Sequence, residues 1–285
     1  MTIRLDAVRP PAVAGRFYPG DADDLRAELH SLLLTAESHS AHPAGIHGNS
    51  HTAFIGSDTD GEVAAPHVLV VPHAGYVFSG PIAAAAYATL RGTGNIQRVA
   101  VLGPSHQVAL RGMALPSSTA FDTPLGRIPL DTGALQSLLA LPQVQVNDDA
   151  HAQEHSLEVQ LPFLQLMLGM FTLVPVVVGD ATAGEVAGVI NALWRDDTLI
   201  VISTDLSHYH DHLSARRIDA QTIERILELD TNLKGKEACG CRPLNGLLQV
   251  LKEKDLEIEL LDARNSGDTA GARDQVVGYA SFIVH

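Results

Sequence analysis

The stretches that decide the fold are VLVVPHAGY (68–76), VAVLGPSH (99–106) and LIVISTDLSH (199–208). Each is a short apolar run, rich in β-branched residues, that ends in a turn containing a histidine. Runs that are apolar throughout and separated by segments of helical length are typical of buried strands in a parallel sheet. They predict an α/β fold with a central, mostly parallel sheet flanked by helices.

The three histidines His73, His106 and His208 stand just beyond the predicted strands. In open α/β sheets, ligands bind in the crevice outside the carboxyl ends of the strands, so we expect the three side chains to lie close together. His73 and His106 would follow adjacent strands, and a pair of neutral imidazoles is a common start of a metal site. Each of them alone could instead be a turn histidine bonded to the backbone.

Composition limits the classes of function. The 285 residues, 46% of them hydrophobic, can bury the core of one domain over residues 1–285. A formal charge of -14 repels phosphate backbones and anionic lipid, which excludes nucleic acid and membrane surfaces as expected partners. No apolar run approaches the ~20 residues of a membrane span and no signal pattern opens the chain, so we expect a cytoplasmic protein.

Turn-forming residues predict the irregular parts of the chain. Residues 9–20, rich in Pro and Gly, would form an arm laid over the surface. Residues 38–65, rich in Gly, Ser, Asp and His, would form a flexible loop. A helix would open around Pro81, and residues 151–168 would form a helix that is kinked or ended at Pro162.

Cys239 is a further candidate ligand. It precedes a predicted helix, and a helix amino terminus lowers the pKa of a thiol and favours the thiolate, which binds metal or acts as a nucleophile. It could instead be a small apolar core residue. Cys239 and Cys241 are the two cysteines of the chain, too few for a disulfide framework or a zinc ribbon, and we expect reduced thiols.

Two further patterns could supply acid and base groups. Asp205 lies three residues before His208 and could orient its imidazole, raise its pKa and make it a general base, unless it only forms an Asx-turn. His155 and Glu158 would share a helix face and could line the same cleft. A solvated helix terminus is the alternative for that second pair.

Seven strings along the chain together resemble one known family: RPPAVAGRFYPGD (9–21), VPHAGYVFSG (71–80), LGPSH (102–106), EHSLEVQLPFLQ (154–165), STDLSHY (203–209), CGCRP (239–243) and SGDTAGARDQVVGYAS (266–281). The family they resemble is the Memo family, called AmmeMemoRadiSam system protein B in prokaryotes. Its fold is similar to that of the class III extradiol ring-cleaving dioxygenases. The resemblance therefore implies a dioxygenase-like α/β fold.

The resemblance also implies a ligand set. The dioxygenases hold non-haem Fe(II) with two histidines and a glutamate; His73 and His106 match the histidines, and Cys239 stands at the third position. Iron or copper is the implied metal, and zinc is compatible with the same residues. A soft thiolate in place of the carboxylate predicts little or no catechol cleavage.

The resemblance assigns the remaining roles and the partners. His208 matches the dioxygenase base, with Asp205 beside it, and His155 would line the cleft. Family association names a radical-SAM protein and an AMMECR1-like protein as partners, besides a small molecule or peptide of unknown identity.

Three hypotheses of function follow. The first is a metal-binding redox protein, an oxidoreductase of unknown substrate with a dioxygenase-like cleft. The second is a non-catalytic protein that binds a peptide or partner in the same cleft. The third is a zinc hydrolase, in which the metal activates water near neutral pH.

Overall fold

The computed structural model of the chain describes residues 7–40 and 65–285. The predicted flexible loop therefore lies largely outside the described residues, and its residues 38–40 form the end of a helix. In chain order the strands are β1 (Val8–Arg9), β2 (Val68–Val71), β3 (Arg98–Pro104), β4 (Met113–Leu115), β5 (Ala120–Thr123), β6 (Gly126–Pro129), β7 (Val144–Val146), β8 (Thr172–Val178), β9 (Thr198–Ser203), β10 (His208–His210), β11 (Glu259–Asn265) and β12 (Val276–Val284). The α-helices are α1 (Ala22–Ser40), α2 (Tyr76–Tyr87), α3 (Thr132–Leu138), α4 (Asp148–Ala152), α5 (His155–Glu158), α6 (Leu161–Leu168), α7 (Ala183–Leu193), α8 (His212–Leu227) and α9 (Cys241–Lys254).

The main sheet is mixed, with a parallel centre. Its strand order is β10-β12-β2-β9-β3-β8-β4-β7, and β11 also pairs with β12. Strands β2, β9, β3 and β8 run parallel, whereas β12 is antiparallel to β2 and β4 is antiparallel to β8. The predicted α/β fold with a mostly parallel central sheet is confirmed, and the antiparallel strands lie toward its edges.

Helices cover the sheet because its central strands have no polar face. Every residue of β2 and of β9 is buried. Helices α1, α2 and α6 pack together, with α2 against β2 and β12, while α7 and α9 pack against each other and against β9. Within residues 7–40 and 65–285, no helix combines the length and the apolar character that a bilayer crossing requires.

Two local predictions need correction and one needs refinement. The predicted arm 9–20 is at least partly exposed along most of its length, and the buried side chains of Arg9, Val13 and Tyr18 anchor it. Helix α2 begins at Tyr76 and contains Pro81 in its interior. The predicted helix over 151–168 is three short helices, since side-chain caps start α4 and α5 separately and Pro162 lies in the first turn of α6.

The strand order also corrects the predicted placement of the first two histidines. His73 follows β2 and His106 follows β3, but β9 lies between those two strands, so they are not adjacent. The carboxyl ends of these parallel strands still meet at one edge of the sheet. The loop after β9, which carries Asp205 and leads to His208 at the start of β10, therefore leaves the sheet between the two histidines.

Candidate metal centre

His73 is held by two polar side chains, those of Asp205 and Ser203. Its backbone N–H donates to Asp205 Oδ1 at 2.7 Å, and its ring Nδ1 lies 2.9 Å from Ser203 Oγ. The Ser203 hydroxyl donates its own proton to the Ser156 carbonyl at 2.6 Å, so it accepts from His73 Nδ1–H. This places the proton on Nδ1 and leaves the Nε2 lone pair free to bind a metal.

Glu154 orients His106 in the same way. The backbone N–H of His106 donates to Glu154 Oε2 at 2.6 Å, and its Nδ1 lies 2.9 Å from Oε1. Burial would raise the pKa of Glu154, which is 1% exposed, but hydrogen bonds from His106 and Ser156 outweigh burial and lower that pKa to about 2. The ionised carboxylate can only accept, so Nδ1 of His106 carries the proton and Nε2 is free.

Cys239 completes the cluster. Its Sγ lies 3.2 Å from His73 Nε2 and accepts the backbone N–H of Asp205 at 3.3 Å. One donor atom from each of His73, His106 and Cys239 lies within 4.8 Å of the other two. The structure thus brings together the three residues that the sequence and the family resemblance put forward as ligands.

The predicted low pKa of the Cys239 thiol is wrong. Burial, followed by the charge of Asp205, raises this pKa to about 12. Cys239 lies two residues before the first residue of α9, and burial outweighs whatever stabilisation of the thiolate the helix terminus provides. A bound cation would supply the charge that deprotonates the thiol.

His155 lies in the same cleft, as predicted. Its ring stacks on that of His106 with centroids 4.6 Å apart, and it lies 5.5 Å from the ring of His73 and 4.8 Å from that of Phe17. Burial, then the neighbouring His106, lowers the pKa of His155. His106, Glu154 and His155 also offer donor atoms within 4.8 Å of one another, so Glu154 contacts both imidazoles.

Glu158 does not line the cleft with His155. It is fully buried, accepts from Arg9 and the Tyr18 hydroxyl at 2.7 and 2.8 Å, and also accepts backbone N–H groups at Ala12 and Val13. Arg9 further donates to the carbonyl of Glu154 at 2.8 Å. The amino-terminal segment is therefore tied to the short helix that carries His155, a link that sequence reasoning missed because the partners lie far apart in the chain.

Asp205 and His208 do not form the predicted pair. The Asp205 carboxylate contacts His73, and burial raises its pKa to about 7 against the lowering effect of the His73 N–H. The Nδ1 of His208 lies 2.8 Å from the Leu206 carbonyl, and burial, with a contribution from His106, lowers the pKa of His208. The expectation that Asp205 raises the pKa of His208 is therefore wrong.

Comparison with known proteins identifies the family of the chain. The family model described as Memo-like protein matches residues 9–283. The chain belongs to the Memo family. A MEMO1 family protein of Methanopyrus kandleri is 36% identical, over 96% of this chain and 98% of that protein. A MEMO1 family protein of Pyrobaculum arsenaticum is 33% identical, over 98% of this chain and 99% of that protein.

One solved structure shares the fold of this Memo-family chain. It is the crystal structure of an uncharacterised protein from Escherichia coli, which aligns with a TM-score of 0.50 and 14% identity over 76% of this chain and 99% of its own. The likeness concerns the fold alone. The mixed α/β architecture is consistent with the dioxygenase-like fold that the resemblance implied.

Two supporting residues of the Memo-family site were missed by sequence reasoning. Ser203 fixes the tautomer of His73, and Gln160 fixes Ser203 by donating to its Oγ at 2.9 Å and to the Pro72 carbonyl at 3.0 Å. A signal existed for Ser203, which is a polar residue at the end of an otherwise apolar strand. Gln160 lies in the linker between α5 and α6, and its sequence context predicts no such contact.

Proposed function

We propose that this Memo-family chain is a metal-binding redox protein, an oxidoreductase in which His73, His106 and Cys239 hold a single Fe(II) or copper ion. The observation that supports it is the shared orientation of the two imidazoles. Ser203 and Glu154 hold both Nδ1 protons, so both free Nε2 atoms are available beside the Cys239 sulfur. Such outer hydrogen bonds are the usual companions of metal-binding histidines.

The donor set fits a transition metal. Two imidazole nitrogens and one thiolate suit iron, copper or zinc, while magnesium and calcium prefer oxygen ligands. A bound iron or copper ion would supply one-electron redox chemistry to the cleft. Because the soft sulfur of Cys239 would replace the carboxylate ligand of the dioxygenases, we expect little or no cleavage of catechols.

The other residues of the cleft have separate roles in this proposal. His208, whose pKa is lowered, is neutral at neutral pH and can accept a proton from a small-molecule substrate. Asp205 holds the backbone of His73, and His155 forms a wall beside His106. His208→Ala should leave the metal content unchanged and abolish turnover, and loss of the metal in that variant would argue that His208 is a ligand.

The first test compares the two cysteines. The protein is purified without oxygen, reconstituted separately with Fe(II), Cu(I) and Zn(II), and its metal content is measured by elemental analysis. Cys239→Ser should weaken binding at least about tenfold, because one of three ligands is lost. Cys241→Ser, the matched control two residues away, should bind like the parent protein. Equal affinity of the Cys239→Ser variant and the parent would remove Cys239 from the site.

The same preparations separate the alternative functions. Hydrolysis that requires zinc and proceeds without oxygen would favour the zinc hydrolase. Binding of a peptide with no metal-dependent oxidation would favour the non-catalytic protein. Exposure of the Fe(II) form to catechols and air should give no ring-opened product, and turnover of about 1 per second or faster would contradict the predicted lack of cleavage.

The proposal extends to the cellular setting. A cytoplasmic location is inferred from composition, and a radical-SAM protein and an AMMECR1-like protein are proposed as partners from the family resemblance. Co-purification from a native host with each of these proteins would test the partnership.

A further inference from the structure

A cavity of about 530 Å³ adjoins the proposed metal centre. Cys239 is part of its wall, and the rest comes from the loop after β3, the end of β8, the first turns of α7 and α9, and the loop that leads to Cys239. Cavities of this size, some hundreds of Å³, are the usual binding sites of small molecules.

The wall that carries Cys239 is preformed. Asn245, in α9, accepts the N–H of Leu233 at 3.0 Å and donates to its carbonyl at 2.9 Å, which fixes the incoming loop to the helix. The Ala238 N–H then donates to the Lys234 carbonyl at 3.1 Å, closing one turn directly before Cys239. Lys234 and Cys239 therefore line the same cavity and are joined by a hydrogen-bonded turn.

The charge of the wall favours an anion. Lys234 is an exposed cation on the cavity wall, and no ion-pair partner for it occurs in the described part of the chain. Arg242 also lines the cavity, with its guanidinium held by the Asp180 carboxylate at 2.6 Å and the Ala181 carbonyl at 3.0 Å. The lining contains one lysine, one arginine and one aspartate, in a chain whose formal charge is -14. The amino terminus of α9, which has no side-chain cap and no acidic residue in its first turn, adds partial positive charge.

The cavity also has an apolar part. Its lining includes four apolar side chains, those of Val108, Leu110, Val178 and Leu233. An apolar wall with a few placed polar groups is the ordinary composition of a site that binds an organic molecule.

We propose that this cavity binds the anionic group, a carboxylate or a phosphate, of a small organic substrate whose reacting part reaches the Cys239 end. The substrate role rests on the proposed function, whereas anion binding by the cavity does not require a metal. Lys234 makes the main charged contact, and the apolar wall holds the organic body.

Calorimetric titration of the full-length, metal-free protein tests the binding. The probes are benzoate, its neutral analogue benzamide, and inorganic phosphate. Benzoate should bind at least about tenfold more tightly than benzamide, and Lys234→Gln should weaken benzoate about tenfold, the effect of losing one charged hydrogen bond. Lys236→Gln, an exposed lysine outside the cavity wall, is the matched control and should bind like the parent.

The position of the bound anion is read from Cys239 itself. In the Cys241→Ser background, where Cys239 is the single cysteine, saturating benzoate should shift the ¹³Cβ NMR resonance of Cys239, and this shift should disappear in Lys234→Gln. Circular dichroism confirms that each variant is folded. Phosphate binding that depends on Lys234, without benzoate binding, would identify the anion as a phosphate.

Two results would overturn the inference: neither anion binding at millimolar concentration, or Lys234→Gln and Lys236→Gln behaving alike. Metal content is measured on the same samples. Metal binding without anion binding would leave the proposed function standing and remove this cavity from it. Anion binding without metal binding would leave the anion site standing and contradict the proposed function.

Discussion

At the residue scale, the site depends on which ring nitrogen of each histidine carries the proton. Glu154 fixes this for His106, and it does so from a buried position where its carboxylate accepts the N–H groups of His106 and Ser156. Ser203 does the same for His73 without a charge. The two imidazoles thus present the same nitrogen to the centre for different reasons, and the charged support should matter more because charge-assisted hydrogen bonds are the stronger ones.

Glu154→Gln tests that support. The amide keeps the size of the side chain, but its carbonyl carries no charge and its NH₂ can face Nδ1, which favours the wrong tautomer of His106. We expect the affinity for the metal to fall about 10- to 100-fold, the usual cost of losing an outer hydrogen-bond partner. Competition with a chelator measures the change. Glu253→Gln, on the exposed part of α9, is the control, and equal affinities of the two variants would contradict the role of Glu154.

At the scale of elements, the contact between α7 and α9 sets the position of the cavity and of the segment that carries Cys239. Gly246, in α9, allows the two helices to approach closely because it has no side chain. A Cβ at this position would lie only 2.4 Å from Val186 Cβ in α7. Gly184, in α7, also lies at this contact, but a Cβ there would find Gln249 Oε1 at 3.8 Å, an ordinary contact. The two glycines share a helical setting and differ in the space around them.

Gly246→Ala should therefore destabilise the protein by about 1–3 kcal/mol, the usual cost of overpacking. Gly184→Ala should leave stability equal or raise it by less than about 1 kcal/mol, since alanine favours the helix. Urea unfolding of both variants measures the difference. A Gly246→Ala variant that is no less stable than Gly184→Ala would contradict close packing of the two helices at Gly246.

At the scale of the whole molecule, buried histidines make stability depend on pH. Burial is the main cause that lowers the pKa of His73, His151, His155 and His208. The unfolded chain therefore takes up protons at a higher pH than the folded one. The folded state is therefore favoured by its neutral buried histidines above pH 6.5, the ordinary pKa of histidine. This contribution to stability is lost as the pH falls from 6.5 toward the lower pKa values of the folded state.

His151 offers a clean test because it lies outside the proposed ligand set. Its pKa falls from 6.5 to about 4, so it alone should account for about 3 kcal/mol of the stability lost across that window. His151→Gln keeps a donor for the Ala114 carbonyl, which the His151 Nε2 contacts at 2.9 Å, but does not titrate. Urea unfolding of the metal-free protein at pH 7.5 and pH 5 should show a smaller loss of stability in the variant. An equal loss would mean that His151 is not buried in neutral form.

The parallel centre of the sheet and the residues at its carboxyl edge could be predicted from the sequence alone. An apolar run followed by a turn is a local pattern, and the shared edge of parallel strands follows from it, which is why His73, His106 and His208 could be placed at one crevice. Cys239 was predicted as a metal ligand from its position before a helix together with the family resemblance. These are properties of short stretches, and they do not depend on which strands are neighbours.

Only the tertiary structure decided the rest. The insertion of β9 between β2 and β3, the contact of Asp205 with His73 instead of His208, and the high pKa of the Cys239 thiol depend on how distant segments pack. Arg9 and Glu158 form a buried ion pair across 149 positions of the chain, and nothing near either residue predicts it. Desolvation is the physical reason in each electrostatic case, because burial is a property of the folded whole and decides both the charge of a group and the partner it needs.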